Sequence, residues 1–461
     1  MANKHASLDA LFTDIADTIR EKTGDTGTIP AAEFPNMIRE RLEVIPPLPY
    51  LTFSSPNSFT LAVGDTTKHW DGTLEYSTDT STWANWDGTT TLSSATSGSN
   101  NVLYLRGTGN TVITGNSINY KWVLTGTDIK CIGNIENLLD YATVESGAHP
   151  TMATSCYRYM FNACTSLTKA PNLPATTLAN NCYRGMFQDC TSLTKAPALP
   201  ATTLADDCYH SMFYNCTSLT QVPALPATTL AANCYYDMFG NCASLTQAPN
   251  LPATTLANNC YRGMFYVCTS LTQVPALPAT TLADDCYHSM FYNCTSLTQV
   301  PALPATTLAN NCYDSMFQEC TSLTQVPALP ATTLANYCYD SMFRGCTSLT
   351  QAPTLPATTL ANYCYNYMFS GCTALTQAPA LPATTLKVYC YAFIFRGCTS
   401  LKLSSTQTGE YTIVYRIPTT GTGTTAMSAL TDMFISTGGT FTGTPEINTT
   451  YYLSNANTVV D

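Results

Sequence analysis

Cysteine is the residue type whose number and spacing first suggest chemistry in this chain. The 461 residues include 21 cysteines, and ten of these recur every 26 residues from Cys156 to Cys390. A second series follows eight residues behind the first, from Cys164 to Cys398. Thiols at such positions could pair as disulfides or bind a metal ion.

The spacing favours neither a disulfide within one copy nor a metal site. Eight helical residues would separate two Cα atoms by about 12 Å, whereas a disulfide needs less than about 7 Å. Zinc sites favour short CxxC pairs with further partners, and the chain has only five histidines. We therefore predict reduced, buried cysteines that pack a core, while bridges between equivalent cysteines of neighbouring copies stay open. The predicted core cysteines include Cys182, Cys190, Cys208, Cys216, Cys234 and Cys242.

No other arrangement of residues predicts catalysis or a cofactor. The GxSxG, HExxH and P-loop patterns are absent, and acidic pairs such as Asp206-Asp207 fall where helix capping explains them. A net charge of −11 argues against nucleic acid as a partner. No apolar run reaches the roughly 18 residues of a membrane span, and the N-terminus lacks the apolar stretch of a secretory signal. We expect a non-enzymatic protein without metal, cofactor or membrane insertion.

The cysteines belong to a sequence unit of 26 residues, and residues 182–207 are one copy, CYRGMFQDCTSLTKAPALPATTLADD. A fixed period in this range predicts a solenoid, in which each unit buries its apolar face against its neighbours. Every fourth residue from Cys182 to Cys190 is apolar, which favours a short helix with Asn180 as its N-cap. A short strand, a proline-rich turn and a leucine-anchored loop complete the predicted unit.

Further segments flank the repeats. Residues 50–130 contain short alternating stretches and all four tryptophans, which favours a small Ig-like β-sandwich. The tryptophans could stack on sugar, but a role in the core of this domain is favoured. Residues 1–49 carry two amphipathic helical patterns, whose apolar stripes need a partner, and a proline linker. Residues 131–400 are interpreted as the solenoid with a short leading element, and residues 401–461 as its C-terminal cap.

The copies differ from one another mainly around the two cysteines, at positions that a helix would turn to solvent. The residue before the first cysteine is Ser, Asn or Asp in seven copies and tyrosine in the last three. Stacked copies would place these tyrosines side by side as an exposed aromatic row, which is typical of a binding surface. The candidate ligand-binding residues are Tyr337, Tyr363, Tyr367, Tyr389, Phe393, Asp340 and Arg344.

Three alternatives remain open for this surface. The polar differences between copies could be drift at unconstrained positions, and the C-terminal cap could fold over the aromatic row. The uniform strand face, with Lys169, Lys195 and Gln221, is the rival binding surface.

The repeated unit resembles the BspA-type, or treponemal, leucine-rich repeat. The resemblance is carried by CTSLTKAPALPATTL followed by CYRGMFQDC, with departures in the Met-Phe pair and in a slightly longer unit. It implies an open right-handed solenoid with parallel strands on one side. The expected fold class is therefore α+β and multidomain: a solenoid of ten 26-residue repeats, preceded by a small β-sandwich and a short N-terminal helical attachment segment.

The N-terminal stretch LFTDIADTIREKTGDTGTIPAAEFPNMI is similar to the leading segment of tail-fibre proteins of gut bacteriophages. This resemblance implies a virion tail protein that is assembled in the host cytoplasm and binds a glycan or protein receptor on the host surface. Residues 1–45 would then dock to other tail proteins, and the chain would form a homo-oligomer, a trimer as in many tail fibres. The alternative is a bacterial cell-surface adhesin or structural repeat protein that mediates protein–protein contacts.

Overall fold

The computed structural model describes residues 48–417, 428–447 and 449–461. The chain divides into two compact units, Met1–Leu48 and Pro49–Asp461. The predicted helical segment of residues 1–49 therefore lies, apart from its last two residues, outside the described part. Strands, turns and extended chain make up most of the second unit, and no helix within the described ranges is long and apolar enough to cross a bilayer.

Residues 51–132 form two sheets that share one core. The strands are β1 (Leu51–Ser55), β2 (Thr60–Val63), β3 (Thr73–Ser77), β4 (Ala84–Asn85), β5 (Leu92–Ser93), β6 (Ala95–Ser97), β7 (Asn100–Thr108), β8 (Trp122–Thr125) and β9 (Ile129–Ile132). The larger sheet has the order β9-β1-β7-β3-β4 with β6 also paired to β7, and the smaller has the order β5-β2-β8. The buried rings of Phe53 and Trp122, one from each sheet, have centroids 6.4 Å apart.

The tryptophans divide between the core and the surface of this domain. Trp70, Trp86 and Trp122 are buried in mutual contact. Trp83 is only half-buried, and the guanidinium of Arg106 lies 4.1 Å from its ring centroid. Three of the four are therefore core residues.

One α-helix, α1 (Asn137–Glu145), follows the sheets and packs on β7. A side chain at Gly107 of β7 would collide with the Leu138 carbonyl, so glycine permits this close approach. Asp140 has extended backbone angles inside α1, with φ −155° and ψ 100°, so two helical turns meet there at a kink. A 3-10 helix (Ile118–Tyr120) lies between β7 and β8.

The predicted helix of the repeated unit is wrong. Between Cys182 and Cys190 the chain makes successive turns, because every fourth residue, at Asn181, Gly185 and Asp189, has a left-handed φ of 58–62°. Alternate N–H groups donate to the carbonyl three residues earlier, and the others donate to the next copy. For Tyr183 the acceptor is the carbonyl of Cys208, at 3.0 Å.

The predicted N-cap is wrong for the same reason. Asp206, the equivalent of Asn180 in the next copy, accepts at Oδ1 from the N–H of Ala232 at 3.0 Å. Ala232 is the equivalent residue one copy further on, so this side chain joins neighbouring copies and caps no helix. Asp284 makes the same bond to Asn310 at 2.9 Å.

The predicted strand of the unit is reduced to single parallel bridges in four copies, Lys195 with Gln221 and Gln247 with Gln273, and no bridge forms at the equivalent Gln299, Gln325 and Gln351. Three-residue strands occur only near the ends of the described repeats, as β10 (Leu167–Lys169) and β11 (Gln377–Pro379). The prolines of each unit supply no N–H group, which keeps a continuous ladder from forming there.

The interior of the repeats consists of columns of identical side chains. The tyrosines after the first cysteines, from Tyr157 to Tyr391, stack with centroids 5.6–5.9 Å apart. All 21 cysteines are free and buried. From Cys190 onward, the second cysteine of each copy donates its S–H to a phenylalanine carbonyl of the preceding copy. The distance is 3.1 Å between Cys190 Sγ and the Phe161 carbonyl oxygen.

Both ends of the repeats are covered. At the first end, β9 pairs with β10 in parallel, and Phe161 lies against Phe53. At the other end, β12 (Lys402–Ser404), β13 (Tyr411–Arg416), β14 (Gly438–Gly439) and β15 (Thr450–Ser454) form a sheet in the order β13-β15-β12-β14. The last strand, β16 (Thr458–Val460), pairs with β11. Phe434 stacks on Phe395 at 5.6 Å and continues the phenylalanine column into this sheet.

Candidate binding surface

One surface of the repeats carries nearly all the differences between copies. We use the term variable surface for five positions in each copy. They are the residue before the first cysteine and the residues two, three, six and seven places after that cysteine. In the copy of Cys182 these are Asn181, Arg184, Gly185, Gln188 and Asp189, and they are half-buried or, for Gly185, buried. They are less exposed than a helix would leave them, because the equivalent residues of the adjacent copies pack on both sides.

The structure brings the three predicted tyrosines together in one stack. Tyr337 and Tyr363 have centroids 4.5 Å apart with an interplanar angle of 8°, and Tyr363 and Tyr389 are 5.0 Å apart at 17°. Tyr337 is 37% exposed, so the cap does not cover this end of the row. Tyr363 and Tyr389 are half-buried.

All three tyrosines occupy left-handed backbone, with φ of 57°, 58° and 53°. Asparagine and aspartate, which tolerate this conformation, stand here in most earlier copies. A tyrosine in this region carries a backbone penalty of order 1 kcal/mol or more, and such penalties cluster at functional sites. Backbone preference therefore does not explain the aromatic row.

Tyr367, Phe393 and Arg344 form a second stack. The rings of Tyr367 and Phe393 are 4.5 Å apart at 5°, and the Arg344 guanidinium lies 5.3 Å from the Tyr367 centroid. We predicted these two rings one helical turn from the tyrosine row. They lie instead at the next left-handed position, four residues on from Tyr363 and Tyr389.

Asp340 is held by its neighbours and is not free toward solvent. Its carboxylate accepts from Ser341 Oγ at 2.9 Å and from Asn366 Nδ2 at 3.2 Å. Burial raises the pKa of Asp340. The pKa of Tyr337 is also raised, mainly by burial and then by Tyr363 and Asp340, which places this carboxyl group beside the aromatic row.

Two ion-pair clusters on the variable surface were not predicted from the sequence. Asp207 accepts from Arg184 at 2.8 Å and contacts His210 Nδ1 at 2.9 Å. The same arrangement recurs three copies later with Arg262, Asp285 and His288. Burial, assisted by Arg184, lowers the pKa of His210 to about 4 despite Asp207. The signal was the stretch ADDCYHSMFYNC, which occurs twice at an interval of 78 residues.

The rival strand face is chemically uniform. Gln221, Gln247 and Gln273 are exposed, and neighbouring threonines join the copies, as when Thr220 Oγ1 donates to the Thr194 carbonyl at 3.3 Å. A repeated amide side chain offers the same hydrogen bonds at every copy. In the part of the chain that the structure describes, no group of three His, Cys, Asp or Glu residues is placed to hold a metal ion.

Comparison with known proteins gives one family. The BspA type Leucine rich repeat region, in six copies, matches residues 136–272, 207–324 and 258–402, which together span more than half of the chain. No curated protein and no solved structure matches the sequence.

Proposed function

Because the chain belongs to the BspA type leucine-rich repeat family, whose repeats suggest a role at surfaces or in protein contacts, we propose that it is a non-enzymatic receptor-binding protein. Its variable surface recognises a glycan or glycoprotein on a host cell. The stacked row of Tyr337, Tyr363 and Tyr389 is the observation that carries this proposal.

The row has the chemistry that sugar recognition needs. Tyrosine offers an aromatic face to the C–H groups of a sugar ring and a hydroxyl to its polar edge. The second stack, with Arg344 over Tyr367, adds donors for hydroxyl or carbonyl oxygens. Rings that already stack on one another lose little side-chain freedom on binding, which favours affinity.

The proposal extends to a phage virion. Its support is the similarity of the N-terminal segment to the leading segment of tail-fibre proteins. In this proposal residues 1–45 bind other tail proteins, and the repeats face the host. The alternative is a bacterial adhesin with the same binding surface, so the receptor experiment holds for both.

The receptor site is tested by replacing Tyr337, Tyr363 and Tyr389 together with serine, which stands at the equivalent position of the first copy, Ser155. We expect loss of adsorption to cells that bind the unchanged protein, because the aromatic faces are removed. The far-ultraviolet circular dichroism spectrum should be unchanged, since serine already occupies the equivalent left-handed position at Ser155, where φ is 63°. A matched control replaces Gln221, Gln247 and Gln273 of the strand face with alanine. Undiminished adsorption of the serine variant would contradict the proposal, and loss in the glutamine variant would move the site to the strand face.

A further inference from the structure

The variable surface contains a recess, away from the tyrosine row, in the copies that begin at Cys208, Cys234, Cys260 and Cys286. The recess has a volume of about 180 Å³. Its lining residues are Tyr214, Tyr236, Asp237, Arg262, Gly263, Tyr266, His288 and Ser289.

Two glycines allow side chains of the preceding copy to lie over them at the recess. Gly240 stands between Tyr214 and Tyr266 in the series of equivalent positions, and a Cβ there would lie 2.8 Å from the Tyr214 ring. A Cβ on Gly263 would collide with the Asp237 carboxylate. Because these positions carry no side chain, Tyr214 and Asp237 can lie over the following copy, where both line the recess.

The aromatic walls are held in place from behind. Tyr236 stacks on His210 at 4.5 Å, and Tyr266 stacks on Tyr292 at 4.8 Å. The hydroxyl of Tyr214 accepts from Asn241 Nδ2 at 2.7 Å. Side chains fixed in this way pay little ordering cost when a ligand arrives.

The polar groups of the recess are nearly balanced in charge. Burial raises the pKa of Asp237 to about 7, against the lowering effect of Arg262. Arg262 is paired with Asp285 at 2.7 Å, and burial together with Arg262 lowers the pKa of His288. A cation would meet Arg262 and an anion would meet Asp237, so a neutral ligand with hydroxyl groups is favoured over either.

We propose that this recess binds a single neutral sugar ring of a larger glycan. The ring's C–H face packs on the tyrosines, one hydroxyl donates to Asp237, and another accepts from Arg262. The volume is below the roughly 300–1,000 Å³ of pockets that enclose drug-sized ligands, which suits one ring of a chain that continues outside. The inference rests on the proposed glycan-binding function, but it uses none of the residues of the tyrosine row.

The experiment measures binding of the purified full chain to an array of immobilised neutral, sialylated and sulfated oligosaccharides. Gly263→Ser displaces the Asp237 carboxylate, with which its Cβ would collide, and Asp237→Ser removes that acceptor. Both variants introduce the residue that the equivalent Ser289 and Ser315 provide. We expect each variant to bind neutral glycans about tenfold more weakly, because each removes or displaces the Asp237 acceptor. A tenfold loss corresponds to about 1.4 kcal/mol, which is within the range for one hydrogen bond. The control, Gly98→Ser, changes a glycine with a similar left-handed φ of 60° between β6 and β7, outside the variable surface, and it should bind like the unchanged chain.

Retained binding by Gly263→Ser, binding confined to charged glycans, or no binding of the unchanged chain to the array would each overturn the inference. The two proposals fail separately. If the triple tyrosine variant still adsorbs to cells but Gly263→Ser loses glycan binding, the recess is supported as a binding site and the tyrosine row is contradicted. If the triple tyrosine variant loses adsorption but Gly263→Ser keeps glycan binding, the tyrosine row is supported and the recess is contradicted.

Discussion

The cysteines illustrate how burial removes the chemistry that a residue type offers in water. Only the thiolate is a nucleophile or a metal ligand. Burial raises the pKa of Cys208 to about 12 and the pKa of Cys164 to about 11. At neutral pH these thiols stay protonated, and the second cysteine of most copies uses its proton to bond a carbonyl of the preceding copy. Their contribution is packing and one weak hydrogen bond.

Asp314 is a buried carboxyl group that should make stability depend on pH. Burial raises its pKa to about 7, and the nearby carboxylates of Asp340 and Asp285 add to this, although Ser315 and Arg262 oppose it. The unfolded side chain ionises near 3.8. Between these two values the folded state holds the extra proton, so this group lowers the free energy of unfolding as pH rises from about 4 to 7.

Replacing Asp314 with asparagine removes the ionisation and keeps an acceptor for Ser315. We expect the variant to have a higher urea midpoint than the unchanged chain at pH 8 and nearly the same midpoint at pH 4. Both proteins must be compared at each pH, because His210, with its pKa lowered to about 4, changes stability in the opposite sense. Glu410→Gln, at an exposed residue of the cap, is the control. An equal shift at both pH values would contradict the argument.

At the scale of the element, the four-residue spacing of apolar side chains has two structural solutions. A helix brings every third or fourth residue to one face, and a series of four-residue turns does the same. The distinguishing signal lies in the residues before the cysteines and methionines, such as Asn181, Gly185 and Asp189. Asn, Asp and Gly are the residue types that accept left-handed backbone, and their recurrence every four residues indicates turns.

Val267 is an exception that the turn structure exposes. Val267 has a φ of 58°, whereas asparagine stands at the equivalent position in three other copies, as Asn215, Asn241 and Asn293. A β-branched side chain is strained in left-handed backbone by about 1–3 kcal/mol. We expect Val267→Asn to increase the free energy of unfolding by about 1 kcal/mol, measured by urea denaturation. Asn293→Val is the reciprocal change and should destabilise by a similar amount, so a neutral result for both would refute the argument.

At the scale of the whole molecule, the second unit is one continuous hydrophobic core closed at both ends. The core runs from Leu51 in the sandwich to Leu453 in the last sheet. A solenoid exposes apolar surface at its termini unless other structure covers it. Here β9 and Phe53 cover one end, and Phe434 with the sheet of β12 to β15 covers the other.

The trimeric state expected of a tail protein is predicted to depend on residues 1–45. The chain divides at Leu48, so removing residues 1–48 leaves the second unit with all its internal contacts. By light scattering we expect the full chain to have three times the mass of one chain, because the apolar stripes predicted in residues 1–45 need a partner. The truncated chain should be a monomer with an unchanged unfolding midpoint. A monomeric full chain would count against the virion assignment.

The periodicity of the sequence alone predicted the stacking of the units and the columns of buried side chains. The 26-residue interval indicated stacked units, and the apolar letters of each copy indicated the buried columns, because a side chain repeated at every copy must meet its own equivalents. The same logic placed Tyr337, Tyr363 and Tyr389 in one row, since stacking in register follows from the interval and needs no knowledge of the backbone.

The tertiary structure decided what the backbone does between the cysteines and which side chains meet across copies. Half of the N–H groups in each turn region bond to the next copy, so no single unit contains the partners that choose turns over a helix. The recess at Asp237 has the same origin, because the residues that line it belong to four neighbouring copies. Local sequence specifies the unit, and hydrogen bonds between units select its conformation.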